Sequence, residues 1–221
     1  MIVLPRLYPI LDASCFPDSS RLITAAEELA GAGVTLIQYR NKSGNARVML
    51  EQARELKSLL SQDQNPHPVA QNATRVGHPR VRLIMNDRAD LCIATDFDGV
   101  HVGQDDLSHE AVRGIIGPDR WLGVSTHNPE QLREADLTSA DYLAIGPVFA
   151  TSSKERPDPV VGLEGVRRAR ELTRKPLVAI GGINRANAKS VIEAGADSVA
   201  VISDLLREPR KSAEEFFRIL G

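Results

Sequence analysis

The sequence predicts an α/β protein with the single-domain (β/α)8 TIM-barrel architecture. Short apolar runs of strand length alternate along the chain with amphipathic segments of helix length, giving eight strand and helix pairs. Most of these strands are continuous apolar runs, which is typical of a parallel sheet covered by helices. A helix ending in Gly or Ala before a strand recurs at AGAGVTLIQ, DFDGVHVG, TSADYLAIG and EAGADSVAV. Eight such units favour a closed barrel over an open sheet.

In the first half of the chain, capping and turn residues bound each predicted element. Ser20 is a suitable N-cap for the first helix, and Gly31 and Gly33 end it. The predicted strands are Leu7–Leu11, Val34–Tyr39, Leu83–Met85 and Gly99–Val102. The predicted helices are Ser20–Ala32, a second that begins at Asn45 or Ala46 and ends at Leu60, Arg88–Thr95 and Ser108–Ile116.

The second half continues the alternation and contains a long strand-to-helix loop. The predicted strands are Trp121–Val124, Asp141–Ile145, Leu177–Ile180 and Ser198–Val201, and the predicted helices are Asn128–Ala135, Leu163–Thr173, Arg185–Ala194 and Ser212–Leu220. Residues 146–162 lack helical periodicity and follow a strand, so we predict an active-site lid that is mobile when empty and ordered with ligands. Residues 61–80 also lack periodicity but join a helix to a strand, which predicts a surface loop at the N-terminal face.

Composition limits the class of protein. A chain of 221 residues with 42% hydrophobic and 25% charged content fits one globular domain over 1–221. The net charge of -2 argues against nucleic-acid binding, and no apolar run approaches the roughly 20 residues of a membrane span. Cys15 and Cys92 form no CxxC pair, and no signal peptide is recognisable, so we expect a cytoplasmic protein with buried or partly buried thiols. A homo-oligomer is compatible with the sequence.

Two acidic residues follow neighbouring predicted strands in the stretch RLIMNDRADLCIATDFDGVHVGQDDL. Asp87 follows one predicted strand and Asp106 follows the next. Parallel strands joined by a crossover helix end on the same side of the sheet, so the two carboxylates can converge. Oxygen ligands without Cys or paired His suit Mg²⁺. Alternatively, each acid is only a helix N-cap. His101 lies within a strand and is interpreted as a hydrogen-bonded core histidine.

Cationic and hydroxyl side chains follow other strands of the same predicted face. Arg40 and Lys42 flank Asn41 after the second strand, and Lys154 follows the hydroxyl residues Thr151, Ser152 and Ser153. Each charge on its own is typical of a solvated surface. Together, at a face that carries magnesium ligands, they predict a polyphosphate pocket, since Arg offers a bidentate fork and Lys a mobile point charge.

A second phosphate site is predicted after the last two strands. Gly181 and Gly182 follow the seventh strand, and Ile202 and Ser203 follow the eighth. Barrels bind phosphate here through backbone N–H groups and a helix N-terminus. A Gly pair by itself indicates only a tight turn. Two facing phosphate sites imply two phosphorylated substrates or one bisphosphate.

These residues lie in motifs that resemble a known family. YPILD, GVTLIQYRNK, IMNDRADL, GVHVGQDDL, LGVSTH, DYLAIGPVFATSSK and VAIGGIN followed by AGADSVAVIS resemble, in order and over nearly the whole chain, the thiamine-phosphate synthases. The resemblance implies a Mg²⁺-dependent transferase. Its substrates would be the small molecules 4-amino-2-methyl-5-(diphosphooxymethyl)pyrimidine and 4-methyl-5-(2-phosphoethyl)thiazole, and its products would be thiamine phosphate and pyrophosphate.

The resemblance also implies roles for particular residues. Asp87 and Asp106 would bind the metal, and the catalytic contacts would come from Lys154, Ser125, Arg40 and Lys42. The pyrimidine diphosphate would be held by Gln38, Arg40, Lys42, Asn86, Ser125 and Lys154, and the thiazole phosphate by Thr151, Ser153, Gly181 or Gly182, Ile202 and Ser203.

Two features depart from the family pattern. The family usually has Leu-Arg-Glu-Lys where this chain has Tyr39-Arg40-Asn41-Lys42, so a carboxylate between the cations is missing, and the loop at 61–80 has no recognisable counterpart. Two alternatives stay open: a barrel similar to thiazole tautomerase, and a non-catalytic phosphate-binding barrel. The first would not need Asp87 and Asp106, and the second would be expected to lose charges at the loop tips.

Overall fold

The computed structural model describes residues 2–61, 80–151 and 158–221. Its parallel strands form a closed barrel in chain order, with β8 hydrogen-bonded to β1. The predicted fold class is therefore confirmed. The strands are β1 Leu7–Asp12, β2 Leu36–Arg40, β3 Arg82–Asn86, β4 Gly99–Val102, β5 Trp121–Thr126, β6 Tyr142–Ile145, β7 Leu177–Ile180 and β8 Ser198–Val201.

Helices follow the strands and cover the outside of the barrel. They are α1 Ser19–Gly31, α2 Ala46–Ser61, α3 Ala89–Ala94, α4 His109–Ile116, α5 Pro129–Asp136, α6 Gly162–Leu172, α7 Ala188–Glu193, α8 Ser203–Leu206 and α9 Pro209–Leu220. A short 3₁₀ turn, Ala13–Cys15, follows β1. The predicted loop at 61–80 lies outside the described residues except at its two ends.

Three expectations about the helices were wrong. Asp18, and not Ser20, caps α1, because its side chain accepts a hydrogen bond from the backbone N–H of Arg21. The helix α7 begins three residues late, since Asn184 and Asn187 hold a turn through side-chain bonds to backbone N–H groups. Helix α9 begins at Pro209, three residues before the predicted Ser212, and the single turn α8 directly after β8 was not predicted.

Side chains along each strand point alternately outward and inward, so the barrel has two hydrophobic cores. Outward residues pack against the helices in one large cluster, whereas inward residues such as Tyr8, Ile84 and Tyr142 form a smaller cluster inside the barrel. This period of two also places polar side chains at the inward positions nearest the carboxyl ends of the strands. Those inward polar residues are Asp12, Gln38, Arg40, Asn86, His101 and Ser125.

The two cysteines differ in environment, and neither forms a disulfide. Cys92 is fully buried, and burial raises the pKa of its thiol to about 12, so it remains protonated at neutral pH. Cys15 is exposed, which corrects the expectation that both thiols are at least partly buried. Among the helices that the structure describes, none is long and apolar enough to cross a membrane.

Candidate active site

Two cations at the end of β2 are paired with carboxylates from the neighbouring strands. Arg40 Nη1 donates to Asp12 Oδ2, and Asp12 is the direct register partner of Arg40 in the adjacent strand β1. Lys42 Nζ donates to Asp87 Oδ2, just beyond β3. The side chain of Lys42 is 54% exposed, but that of Arg40 only 21%. The predicted polyphosphate pocket therefore has one anchored cation and one more mobile cation.

Asp87 and Asp106 lie near each other at the same end of the barrel. Burial raises the pKa of Asp87 above its ordinary value, the Lys42 ammonium opposes this rise, and the neighbouring Asp106 adds to it. Asp87 has a left-handed backbone conformation, with φ of 60°, and its N–H donates to the carbonyl of His101 at 2.8 Å. The predicted convergence of Asp87 and Asp106 is thus observed.

The structure does not support the alternative in which these acids are helix caps. The N-cap of α3 is Arg88, which makes no side-chain capping bond, and α4 is capped by Ser108 through the N–H of Ala111. Asp106 Oδ2 instead accepts from the N–H of Gly103 at 2.8 Å. Both carboxylates therefore have acceptor sites available for a ligand.

The acid pair is compatible with magnesium more than with zinc. Within residues 2–61, 80–151 and 158–221, no three His, Cys, Asp or Glu side chains form a metal-binding cluster. Mg²⁺ commonly takes one or two carboxylates and completes its shell with water and substrate phosphate, whereas structural zinc needs a full set of protein ligands. The raised pKa of Asp87 indicates a place where a cation would stabilise two neighbouring negative charges.

A chain of hydrogen bonds crosses the barrel interior and links two predicted substrate-binding residues. Gln38 Nε2 donates to the hydroxyl of Tyr8 at 3.1 Å, and the hydroxyls of Tyr8 and Tyr142 are 2.9 Å apart. His101 bridges the other end, with Nδ1 at 3.1 Å from the Tyr142 hydroxyl and Nε2 at 2.8 Å from Ser125 Oγ. Gln38 and Ser125 are therefore fixed relative to each other by the barrel core.

His101 is a buried, hydrogen-bonded core residue, as the sequence indicated. It is 8% exposed, and burial lowers its pKa to about 4 although Asp106 opposes the shift. Its ring stacks on Tyr142, with centroids 5.5 Å apart and an interplanar angle of 29°. Gly123 makes room for this contact, because a Cβ there would lie 2.1 Å from Tyr142 Cζ and 2.4 Å from His101 Nδ1.

Asn41, at the position of the family's Glu, points away from the neighbouring cations. Its Nδ2 donates to Gln52 Oε1 at 2.9 Å and to the Tyr39 hydroxyl at 3.2 Å, and its Oδ1 accepts from the N–H of Ser43 at 2.9 Å. Burial raises the pKa of Tyr39 to about 12, so its hydroxyl stays protonated and donates to Gln52 Oε1 at 2.6 Å. Both departures from the family motif, Tyr39 and Asn41, thus belong to one network between β2 and α2.

Asn86 is the one described residue with a buried side-chain nitrogen that lacks a hydrogen-bond partner, at Nδ2. Buried amide groups normally have partners, so an unpaired donor at the end of β3 suits a ligand acceptor. Beside it, Gln104 Nε2 donates to the carbonyl of Ser125 at 2.6 Å and ties the β4 loop to β5.

The predicted second phosphate site lies at the ends of β7 and β8. Gly181 and Gly182 have φ of 98° and 64°, and a Cβ would meet Pro147 Cβ at 2.5 Å and Ala150 O at 2.5 Å, respectively. Both positions therefore require glycine for conformation and for close approach to the loop after β6. Ile202 is the N-cap of α8 and Ser203 is its first residue, so backbone N–H groups of a helix start face this end of the barrel.

The loop after β6 is described only at its ends. Thr151 lies at the last described position before the gap, and Ser153 and Lys154 lie outside the described residues, as does the central part of the predicted lid. His127, after β5, contacts both ends: Nδ1 donates to the carbonyl of Gly146 at 2.6 Å, and Nε2 is 3.4 Å from Asp158 Oδ2.

Sequence reasoning missed Asp12, Tyr8 and Tyr142. Asp12 directly follows the predicted strand Leu7–Leu11, which is the signal that singled out Asp87, but no role was predicted for it. The two tyrosines occupy inward positions of β1 and β6. An alternation analysis of each strand could have found both.

Fold and site together define a class: a (β/α)8-barrel protein with paired acids, cations and glycine turns at the carboxyl end of its strands. Residues 7–205 match the family model described as thiamine monophosphate synthase. Similar curated proteins include the thiamine-phosphate synthases of Koribacter versatilis, 58% identical over 98% of this chain and 96% of that protein, and Chloroflexus aurantiacus, 42% identical over 90% and 83%. The chain belongs to the thiamine monophosphate synthase family.

A solved structure agrees with this membership. The thiamine phosphate pyrophosphorylase from Pyrococcus furiosus superposes with a TM-score of 0.80 at 32% identity, covering 97% of this chain and 95% of that chain. The similarity extends over nearly the full barrel.

Proposed function

We propose that this protein is a thiamine-phosphate synthase, a Mg²⁺-dependent transferase. It joins 4-amino-2-methyl-5-(diphosphooxymethyl)pyrimidine to 4-methyl-5-(2-phosphoethyl)thiazole, and it releases pyrophosphate and thiamine phosphate. The observation that carries this proposal is the pairing of Arg40 and Lys42 with Asp12 and Asp87 beside Asp106, at one end of the barrel. Cations and acids so arranged fit a diphosphate and its metal ion.

Asp87 and Asp106 are proposed to hold Mg²⁺ together with the diphosphate. When bound, the ion neutralises negative charge that develops on the leaving group. Arg40, Lys42 and Lys154 supply further positive charge, and Arg40 is held by Asp12 before substrate arrives. Donors that are fixed in advance stabilise a transition state without reorganisation.

The pyrimidine end of this substrate is assigned to the buried polar groups. Gln38 and Ser125 are held by the hydrogen-bonded chain through His101, and the unpaired Nδ2 of Asn86 is a donor for the diphosphate or the ring. Groups held by packed neighbours keep the reacting carbon aligned for transfer.

The thiazole phosphate is assigned to the opposite loops. Backbone N–H groups at Gly181 or Gly182 and at Ile202 and Ser203 suit a phosphate, with hydroxyls of Thr151 and Ser153 completing the shell. In this proposal the thiazole lies across the barrel from the pyrimidine diphosphate, between β6 and β8.

The reaction is a dissociative displacement. The bond between the pyrimidine methylene carbon and the bridging oxygen breaks, and its electron pair leaves with pyrophosphate. The electron-donating amino group of the ring supports the carbocation-like methylene, which the lone pair of the thiazole nitrogen then captures as the new C–N bond. The role of the protein is to stabilise the departing diphosphate and to keep water away from the cation.

The proposal also covers the cellular location, the domain organisation and the partners of this protein. We assign the chain to the cytoplasm as one domain over residues 1–221, with small-molecule substrates and without a nucleic-acid or membrane partner. The net charge of -2 supports the exclusion of nucleic acid. A homo-oligomer remains compatible with these assignments.

The direct test is pyrophosphate release by purified protein. We expect release with both substrates and Mg²⁺, and none with either substrate alone or with excess chelator. A barrel similar to thiazole tautomerase would act on a thiazole without releasing pyrophosphate, and a binding barrel would bind phosphate compounds without turnover. Absence of pyrophosphate from the complete mixture, with ligand binding intact, would contradict the proposal.

A further inference from the structure

Asp12 is a buried acid at the candidate site to which the proposed reaction gives no direct role. It is the last residue of β1 and is 3% exposed. Its inward position places it beside Arg40, its register partner on β2. Burying a carboxylate is unfavourable unless the group is paired and hydrogen-bonded. We therefore expect Asp12 to interact with a cationic partner at this end of the barrel.

The two oxygens of Asp12 have separate partners. Oδ1 accepts from the backbone N–H of Ser14 at 3.0 Å and from Ser14 Oγ at 2.7 Å, and these bonds hold the 3₁₀ turn after β1. Oδ2 accepts from Arg40 Nη1. Oδ1 therefore stabilises the turn, and Oδ2 binds the Arg40 guanidinium.

The bond to Oδ2 restricts the orientation of Arg40. A guanidinium is planar and has five N–H donors in fixed relative directions, so a bond at Nη1 restricts the orientations open to the whole group. The two bonds from Ser14 hold the carboxylate itself. The remaining donors of the guanidinium are therefore restricted in direction before any ligand binds.

We propose that Asp12 is a positioning residue for the transfer reaction: it orients the guanidinium of Arg40 toward the departing pyrophosphate. The inference rests on the proposed function. It assigns the orientation of Arg40 to a residue of β1, whereas Arg40 and Lys42 lie at or just after the end of β2. It also explains how Arg40 is held although the adjacent position 41 has an asparagine that is bonded to Gln52 and Tyr39.

Asp12→Asn separates the two tasks of the side chain. The single carbonyl oxygen of asparagine can replace Oδ1 and keep both bonds from Ser14. Its NH₂ group then faces Arg40 Nη1, and two donors cannot bond each other, so Arg40 is released while the turn remains. Ser14→Ala is the matched control, because it removes the 2.7 Å bond to Oδ1 and leaves the bond between Oδ2 and Arg40 in place.

Steady-state kinetics of pyrophosphate release should distinguish the two variants. For Asp12→Asn we expect kcat to fall about 10- to 100-fold, since a displaced catalytic contact costs up to about that factor. We expect its KM for the pyrimidine diphosphate to change less than about threefold, because Arg40 keeps its charge and loses a negative neighbour. Ser14→Ala should keep kcat within about twofold and lower only the melting temperature, by about 2–4 °C for one hydrogen bond.

A double-mutant cycle with Arg40→Gln tests whether Asp12 acts through Arg40. We expect Arg40→Gln to lower kcat and Asp12→Asn to have no further effect in that background. The double variant should also melt higher than Arg40→Gln alone, because the single variant leaves a buried carboxylate without its cation.

Three results would overturn the inference while leaving the proposed function intact: wild-type kcat in Asp12→Asn, an Asp12→Asn effect that persists in the Arg40→Gln background, or an equal loss of kcat in Ser14→Ala. A wild-type protein that releases no pyrophosphate would overturn the proposed function and this inference together.

Discussion

Lys42 Nζ donates to the Asp87 carboxylate, so a cation following β2 is already paired with an acid following β3. Burial raises the pKa of Asp87, and the like-charged neighbour Asp106 adds to the rise. A divalent cation between the two acids would relieve their repulsion and compete with Lys42 for Asp87. Lys42, with a side chain that is 54% exposed, can then turn toward a diphosphate.

The first prediction concerns the two acids. Replacing Asp87 or Asp106 by Ala should lower the rate of pyrophosphate release at saturating Mg²⁺ by roughly 10²- to 10⁴-fold, as for the loss of a preorganised charge-stabilising group. Without metal, Asp87→Ala should melt near the wild-type temperature, because relief of the repulsion with Asp106 offsets the lost ion pair with Lys42. Asp106→Ala should lose about 1 kcal/mol with its bond to Gly103.

Asp105→Ala is the matched control for that experiment. Asp105 is exposed and adjacent in sequence, so its replacement makes the same change in charge without removing a proposed ligand. Its rate should stay near that of the wild type. A destabilised but fully active Asp106→Ala protein would rule out the metal assignment.

A second prediction concerns pH and His101. Because burial lowers its pKa to about 4, the unfolded chain binds this proton near pH 6.5 but the folded chain does not. The contribution of this histidine to stability is therefore complete above pH 6.5 and declines as the pH falls toward 4, by up to roughly 3 kcal/mol. NMR titration of its imidazole should show no protonation between pH 8 and pH 5. A midpoint near 6.5 would refute this account.

The third prediction concerns the departure from the family at position 41. Asn41→Glu should change the rate by less than about tenfold, or about 1.4 kcal/mol, because the side chain at 41 bonds to Gln52 and Tyr39 and not to the cations. It should lower stability by about 1–3 kcal/mol, since a carboxylate cannot donate to Gln52 Oε1. Thermal melts and pyrophosphate release measure the two effects. A rate change of several orders of magnitude would mean that this position enters the chemistry.

The fourth prediction concerns the chain between α2 and β3. Helix α2 ends at Ser61 and β3 begins at Arg82, and both of these ends lie at the end of the barrel opposite the acids, so we predict no catalytic role for residues 62–79. Replacing residues 62–79 with a short Gly/Ser linker should leave turnover nearly unchanged. Loss of activity with an intact circular-dichroism spectrum would place this segment at the active site.

Much of the fold was predictable because local patterns and topology agree in this chain. Alternating strand and helix periods located all the strands, and the rule that parallel strands end on one face brought Asp87 and Asp106 together. Helix starts were less predictable, since the caps depend on side-chain bonds such as that from the Arg21 N–H to Asp18. The short helix α8 has too few residues to show a period.

The contacts within the site were less predictable than its location. The bond between Asn41 and Gln52 joins a loop to a helix, and the pair Asp12 and Arg40 depends on the register of two strands. No spacing in the sequence specifies such tertiary pairs. The chain from Gln38 to Ser125 likewise needs inward side chains from five strands to meet inside the barrel.

Gly123 shows that a residue without a functional group can decide whether the site exists. The rings of Tyr142 and His101 fill the volume in front of it, where any side chain would lie within 2.4 Å of both. In a library of variants scored by activity, substitutions at position 123 would therefore look like catalytic defects. Their cause would be steric exclusion of two rings, transmitted to Ser125 through the imidazole of His101.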